Sequence, residues 1–269
     1  MLRHLLPSLA LLGLACVFAS ACGDSTRSSA DAAGDPQTIT VFAASSLTDA
    51  LKAAADGFEL EHPDARVEFN FAASSALAIQ INEGAPADVF ASADAAQMKV
   101  VTDKGNAEQP EVFARNVPVI VAPADSAAVT SFDDLARPGL KLVLGAPAVP
   151  IGAYSRQILE NASGPGGISS DFSDRVLANL KSNEPNVRSV LTKVQLGEAD
   201  AGIVYRTDTA AAGDDVRVIE IPSRYNVVAD YFIARVKPTG SPGPGQDFVA
   251  FLLSADGRAV LRKYGFETP

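Results

Sequence analysis

The sequence predicts an α/β protein built on mainly parallel sheets, and three observations carry that prediction. Apolar runs of strand length alternate with longer segments whose apolar residues recur at helical spacing. The turns from strand to helix are rich in Ser, Pro, Asn and Gly, the residues that start helices and tighten turns. At 269 residues, 47% of them hydrophobic, the chain is long enough to cover sheets on both faces.

Residues 39–44 form the first apolar strand run, and Leu47, Ala50, Leu51, Ala54, Ala55 and Phe58 then recur on one helix face. Residues 67–71 read as a second strand, followed by a helical stretch carrying Leu77, Ile79 and Ile81. Residues 88–91 are a short apolar strand before a helix that opens at Asp94. Such a β-α-β-α-β-α order favours a parallel sheet with helices on its faces. A second series begins with strands at 117–121 and 140–144 and a helix over 152–161. The next helix covers 186–197, with Val187, Val190, Leu191 and Val194 on one face and Gly197 as its stop. Strands at 201–205, 216–221 and 227–236 and helices at 246–253 and 257–264 complete the chain. Residues 164–167 and 238–245, dense in Gly and Pro, read as surface loops.

The first 22 residues have a different character. Arg3 precedes an apolar stretch from Leu5 to Phe18, and small residues Ala19, Ser20 and Ala21 lead to Cys22. That is the layout of a secretory signal, too short to span a membrane comfortably. A cysteine directly after small residues resembles the lipobox of bacterial lipoproteins, although Ala19 stands where Leu is usual. Residues 1–21 are therefore expected to be a signal peptide and Cys22 the lipidated residue. Residues 22–37, rich in Ser, Ala, Asp and Gly, form a flexible tether. The location expected is extracytoplasmic, anchored to the cell membrane.

Composition removes several functions. A net charge of −10 excludes nucleic acid as a partner and leaves the N-terminal lipid as the only expected membrane contact. Both cysteines, Cys16 and Cys22, precede the folded body, so no disulfide or thiolate site is expected there. With only His4 and His62, neither a zinc cluster nor a histidine-based catalytic centre has its ligands. No cofactor and no directly bound metal is expected, and the chain reads as a non-enzyme.

In open α/β sheets ligands gather where strands run into helices. Four such turns stand out: Phe42-Ala43-Ala44-Ser45-Ser46-Leu47, Phe71-Ala72-Ala73-Ser74-Ser75-Ala76, Val149-Pro150-Ile151-Gly152 and Glu184-Pro185-Asn186-Val187-Arg188. Each opens a helix, with unpaired N–H groups and the positive end of the helix dipole. Convergent N–H and O–H donors hold an anion without cationic side chains, which reconciles an anion site with an acidic protein. Taken singly, Ser45, Ser46, Ser74 and Ser75 are equally readable as helix N-caps.

Residues 39–48, Ile-Thr-Val-Phe-Ala-Ala-Ser-Ser-Leu-Thr, resemble the first strand and turn of the periplasmic molybdate-binding proteins of ABC importers. Residues 84–94, Gly-Ala-Pro-Ala-Asp-Val-Phe-Ala-Ser-Ala-Asp, resemble another segment of that family. Val149-Pro150-Ile151-Gly152-Ala153-Tyr154, Gly202-Ile203-Val204-Tyr205 and Lys263-Tyr264-Gly265-Phe266 also match, in the family's order.

The resemblance implies a two-lobed periplasmic-binding-protein fold of type II, each lobe a mainly parallel sheet flanked by helices, joined by a two-crossing hinge. Lobe one would comprise residues 38–116 plus 230–269, and lobe two 117–229. It also implies that Ser46, Ser74, Ile151, Val187 and Tyr205 bind the oxyanion, Ile151 and Val187 through backbone N–H groups. The register leaves Ser45 and Ser75 as alternatives. Asp88 and Asp94 become structural, while Arg188 and Arg206 could add charge near the site.

The implied function is capture of molybdate, and of the nearly isosteric tungstate, by a monomer that delivers it to the membrane permease of an ABC importer. A donor-only site disfavours monohydrogen phosphate, whose proton needs an acceptor. Sulfate would have to be rejected by cavity size, and a receptor for sulfate or another tetrahedral oxyanion is the alternative reading. A secreted serine hydrolase using Ser46 or Ser74 is a remote one, since His62 is the sole mature histidine and no G-x-S-x-G elbow is present.

Overall fold

The computed structural model describes residues 36–237 and 245–269. The expected signal peptide, Cys22, nearly all of the tether and most of the 238–245 loop lie outside the described residues. Within them the strands are β1 (Gln37–Ala44), β2 (Ala65–Ala72), β3 (Val89–Ser92), β4 (Glu111–Asn116), β5 (Pro118–Pro123), β6 (Leu142–Gly145), β7 (Leu180–Glu184), β8 (Ala201–Tyr205), β9 (Val216–Ile219) and β10 (Ala229–Arg235). The helices are α1 (Thr48–Glu61), α2 (Ser74–Asn82), α3 (Ala95–Thr102), α4 (Pro150–Ser163), α5 (Phe172–Ala178), α6 (Val187–Gln195), α7 (Gly245–Leu253) and α8 (Ala255–Lys263).

The strands form two sheets, ordered β2-β1-β3-β10-β4 and β7-β6-β8-β5-β9. In the first, β1 runs parallel to β2 and β3, and β10 is antiparallel to β3 and β4. In the second, β6 runs parallel to β7 and β8, and β5 is antiparallel to β8 and β9. One strand in each sheet therefore opposes all the others, and it is the strand through which the chain enters from the other lobe. The result is the expected two-lobed α/β fold with mainly parallel sheets.

The first crossing is a single residue, Val117, between β4 and β5, and the second runs from β9 to β10. Both carry an Asn-Val pair in which the Asn side chain accepts the next N–H at 2.9 Å: Asn116 with Val117, and Asn226 with Val227. Asn226 Nδ2 also donates to the Pro118 carbonyl at 2.9 Å, tying the second crossing to the first.

Alternation along β1 explains the layering of lobe one. Ile39, Val41 and Ala43 belong to the core under α1, α7 and α8, whereas Phe42 joins Leu77, Ile81, Met98 and Val101 under α2 and α3. Helix α1 adds Leu51, Ala54, Ala55 and Phe58, all buried. Each large side chain buried this way is worth about 1.5–3 kcal/mol.

The periodicity gave three elements too little signal to be expected. Strand β4 (EVFARN) mixes charges with its apolar residues, β7 (LKSNE) is mostly polar at a sheet edge, and α5 spans only seven residues. The remaining boundaries shift by a few residues; the predicted 227–236 strand is trimmed to β10.

Candidate functional site

Register sets the heights from which the site is built. Ala43 and Ala44 of β1 pair with Phe71 and Ala72 of β2, and Ala43 also pairs with Ala91 of β3. The two serine turns and the Ser92-Ala93 turn therefore leave lobe one side by side. In lobe two, Gly145 pairs with Glu184, so the turns into α4 and α6 also start level. All these exits lie at carboxyl ends of parallel strands, where α/β proteins place their ligands.

The serines are not N-caps. Ala44 and Ala73 hold the cap positions, neither with a side-chain cap bond, and the serines sit in the first helical turn. Ser74 Oγ accepts the N–H of Ala93 at 3.0 Å, which leaves its own proton available as a donor. Ser46 Oγ lies 2.9 Å from the hydroxyl of Tyr231. In lobe two, Val149 precedes Pro150 at the start of α4, again without a side-chain cap. Asn186 caps α6 by accepting from Ser189 N–H at 2.9 Å, and so leaves the Val187 N–H to other acceptors. No partner for the N–H of Ile151 or Val187 is found among the described residues.

Gly152 explains how α4 starts so close to β6. A Cβ there would sit 2.0 Å from the Ala146 carbonyl oxygen and 2.4 Å from that of Gly145, so only glycine fits. Arg156, one turn on, fastens the same corner. It donates to the carbonyls of Gly145 and Gly152 at 3.0 and 2.8 Å and to Asn183 at 2.7 Å.

These pieces meet in one cavity. Ser46, Ser74, Ile151, Val187 and Tyr205, the five sequence-predicted positions, all line it, together with Ser45, alanines of the lobe-one turns, Val149 and Pro150. Ser75 does not line it, whereas Ser45 and Ser46 both do. The cavity is small, about 10 Å³, on the scale of about one water-sized sphere. In this arrangement the space has no room for a sugar, peptide or nucleotide. No lining residue is charged, so the polarity comes from hydroxyls, N–H groups and helix starts.

Tyr205 is 1% exposed, and its hydroxyl has no hydrogen-bond partner among the described residues. Burial pushes its phenol up from the usual range, with Tyr231, Tyr154 and Asp94 adding to the rise. The phenol therefore keeps its proton near neutrality and is a donor. Its ring stands edge-on to Tyr231 at 5.6 Å and to Tyr154 at 6.5 Å. The Tyr205 N–H donates to the Asp208 carboxylate at 3.2 Å, and that carboxylate faces Arg188 Nε at 3.0 Å.

Charged residues near the turns have other partners. Arg188 reaches from α6 across to Asp49 on α1 at 2.7 Å, an interlobe pair beside the cavity. Arg206 pairs with Glu220. Asp88 accepts the Thr40 N–H at 2.7 Å, and Asp94 caps α3 by accepting from Gln97 N–H at 2.8 Å. Asp94 is pushed up by burial, against the lowering effect of that bond. His62 stacks on Phe58 with centroids 4.3 Å apart, just past the far end of α1. The helix is 14 residues long, so His62 lies about 20 Å from Ser46. That distance removes it as a base for a serine nucleophile.

Tyr231, Asn116, Asp208 and Arg156 are the neighbours that sequence reasoning missed. Each acts through a partner distant in sequence or through a turn carbonyl, and none sits in a recognisable motif.

Comparison with known proteins bears on the family and the fold. Residues 39–267 match the bacterial extracellular solute-binding protein family. The chain is 41% identical over 254 residues to the molybdate-binding protein ModA of Mycobacterium tuberculosis, covering 93% of this chain and 92% of that one. It is 31% identical to a putative ABC transporter substrate-binding lipoprotein of Bacillus subtilis, covering 93% and 94%. Among solved structures, the periplasmic molybdate-binding protein of Azotobacter vinelandii superimposes with a TM-score of 0.73 at 20% identity, covering 86% of this chain and 99% of that one, which speaks for the fold.

Proposed function

This chain belongs to the bacterial extracellular solute-binding protein family, in the company of its molybdate-binding members, and from that premise we propose that it captures molybdate outside the cytoplasm for an ABC importer. Tungstate, nearly the same size and charge, is bound as well. The anion is held by the hydroxyls of Ser46, Ser74 and Tyr205 and the N–H groups of Ile151 and Val187. The observation that carries this reading is the buried Tyr205 hydroxyl, left without a partner at the wall of a cavity lined only by neutral groups. A buried donor of this kind is costly unless it meets an acceptor.

The donors come from both lobes, residues 38–116 with 230–269 and residues 117–229. Binding a single anion between them therefore favours the closed arrangement. The permease of the importer would take its cue from that closed, loaded form, and the protein works as a monomer. The segment around Cys22, together with the similarity to a relative described as a lipoprotein, supports a lipid anchor on the outer side of the cell membrane. Recovery of a Cys22→Ser variant in the membrane fraction, undiminished, would overturn the anchor.

Calorimetric titration with molybdate, tungstate, sulfate and phosphate at equal ionic strength tests the ligand. The expected order places molybdate and tungstate together, well ahead of the other two. Tighter binding of sulfate would replace this reading with that of a sulfate receptor.

A further inference from the structure

Ser46 and Tyr231 lie 185 residues apart in sequence yet share a buried hydrogen bond of 2.9 Å. Distance alone does not say which hydroxyl donates, but the surroundings do. Tyr231 is fully buried, and burial and the nearby Asp208 push its phenol up, so it keeps its proton. Ser46 Oγ is the phenol's hydrogen-bond partner among the described residues, and the Asn116 amide donates instead to Thr207 Oγ1 at 2.7 Å. A buried phenol proton left without an acceptor is costly, so the Tyr231 proton is directed at Ser46 Oγ, the acceptor within reach. The Ser46 proton is then turned away from Tyr231, toward the cavity that Ser46 lines.

We propose that Tyr231 is a positioning residue of the binding site: by donating to Ser46 Oγ it commits the Ser46 hydroxyl to donate to the ligand, and so helps select a fully deprotonated oxyanion. This rests on the reading of the cavity as an oxyanion site. With one lone pair taken by Tyr231 and its own proton turned toward the cavity, Ser46 meets the proton of monohydrogen phosphate as a donor rather than as an acceptor. The edge-on packing of Tyr231 against Tyr205 on one side and Phe266 on the other fixes its ring, so the hydroxyl does not swing away.

The test is a double-mutant cycle read by calorimetry with molybdate: wild type, Tyr231→Phe, Ser46→Ala and the double variant. Tyr231→Phe keeps the ring and its packing, and its ligand-free melting temperature reports whether the fold is retained. The expected result is a loss of about 3- to 10-fold for Tyr231→Phe. A larger loss is expected for Ser46→Ala, with no further loss in the double variant. As a second measurement, displacement of molybdate by phosphate should become easier in Tyr231→Phe, because Ser46 Oγ is freed to accept. Equal losses from Tyr231→Phe with and without Ser46, or an unchanged phosphate-to-molybdate ratio, would overturn the proposal while leaving the ligand assignment intact. Absence of molybdate binding by the wild type would instead overturn the ligand assignment on which the proposal rests, and Ser46→Ala binding as well as wild type would overturn the role of Ser46 and this proposal together.

Discussion

Replacing Tyr205 with Phe removes one buried oxygen and leaves the ring against Tyr154 and Tyr231. The hydroxyl has no partner among the described residues, so its removal leaves no other group stranded. Two effects of opposite sign follow. Binding loses a hydrogen bond to a dianion, worth about 1.5–3 kcal/mol, which weakens Kd by about 10- to 100-fold. The closed ligand-free form loses an unsatisfied buried donor, whose cost is about 1–3 kcal/mol. Its stability should therefore hold or rise. Calorimetry measures the first effect and thermal unfolding without ligand the second; Tyr fluorescence is a poor substitute in a chain with no Trp. At a fixed excess of molybdate the ligand-induced stabilisation should shrink by about 1.5–3 kcal/mol, following the change in Kd. An unchanged Kd would show that Tyr205 does not touch the anion, and a large loss of ligand-free stability would show that its hydroxyl is structural.

Gly152→Ala should cost about 2–3 kcal/mol in urea unfolding, since a Cβ collides with the carbonyls of Gly145 and Ala146, and it should weaken binding by displacing the Ile151 N–H; a neutral variant would refute the close approach. Asp208 is buried, and that burial raises its carboxyl to about 6 against the opposing pull of Arg188. A raised carboxyl stabilises the fold fully below about 3.8, and that contribution is lost as pH rises through about 6. Relative to Asp208→Asn, whose side chain still accepts the Tyr205 N–H, the wild type should therefore lose stability between those pH values; a pH-independent difference between the two would refute this. Asp49→Asn removes the interlobe partner of Arg188, in a pair whose carboxylate is half exposed. Affinity should fall by about 2- to 5-fold at low salt, and the gap should close near about 1 M salt, where screening is nearly complete; a gap that persists at high salt would argue against an electrostatic latch.

The sequence was most legible where function and local structure coincide. The turns that present Ser46, Ser74, Ile151 and Val187 are helix starts, marked by small, hydroxyl or imino residues within a few positions, and all four converge with Tyr205 on one cavity. The local pattern could not assign the serine hydroxyls to caps or to the cavity wall. That depended on Ala44 and Ala73 taking the cap positions and on Ala93 reaching Ser74 from a neighbouring strand. Tyr231 was illegible for a related reason: in a strand of alternating burial it looks like any core aromatic, and its hydroxyl partner is fixed only when β10 enters the first sheet. Strand β7 and helix α5 lacked a signal because an edge strand and a short surface helix bury too little to impose a period. Strand order was also out of reach, because a chain that leaves a sheet and returns to it leaves no trace in hydrophobic spacing.

That return has a consequence for how the protein is made. Strand β10 lies between β3 and β4, so the two parts of the first sheet share no edge until residues 229–235 have been made. Lobe two, whose strands β5 to β9 are contiguous in sequence, has all its pieces earlier. A chain truncated before Ala229 would lack both an interior strand of the first sheet and the tyrosine behind Ser46. The first sheet and the hydrogen bond behind Ser46 are thus completed by one insertion late in the chain, so no shorter product carries the finished lobe.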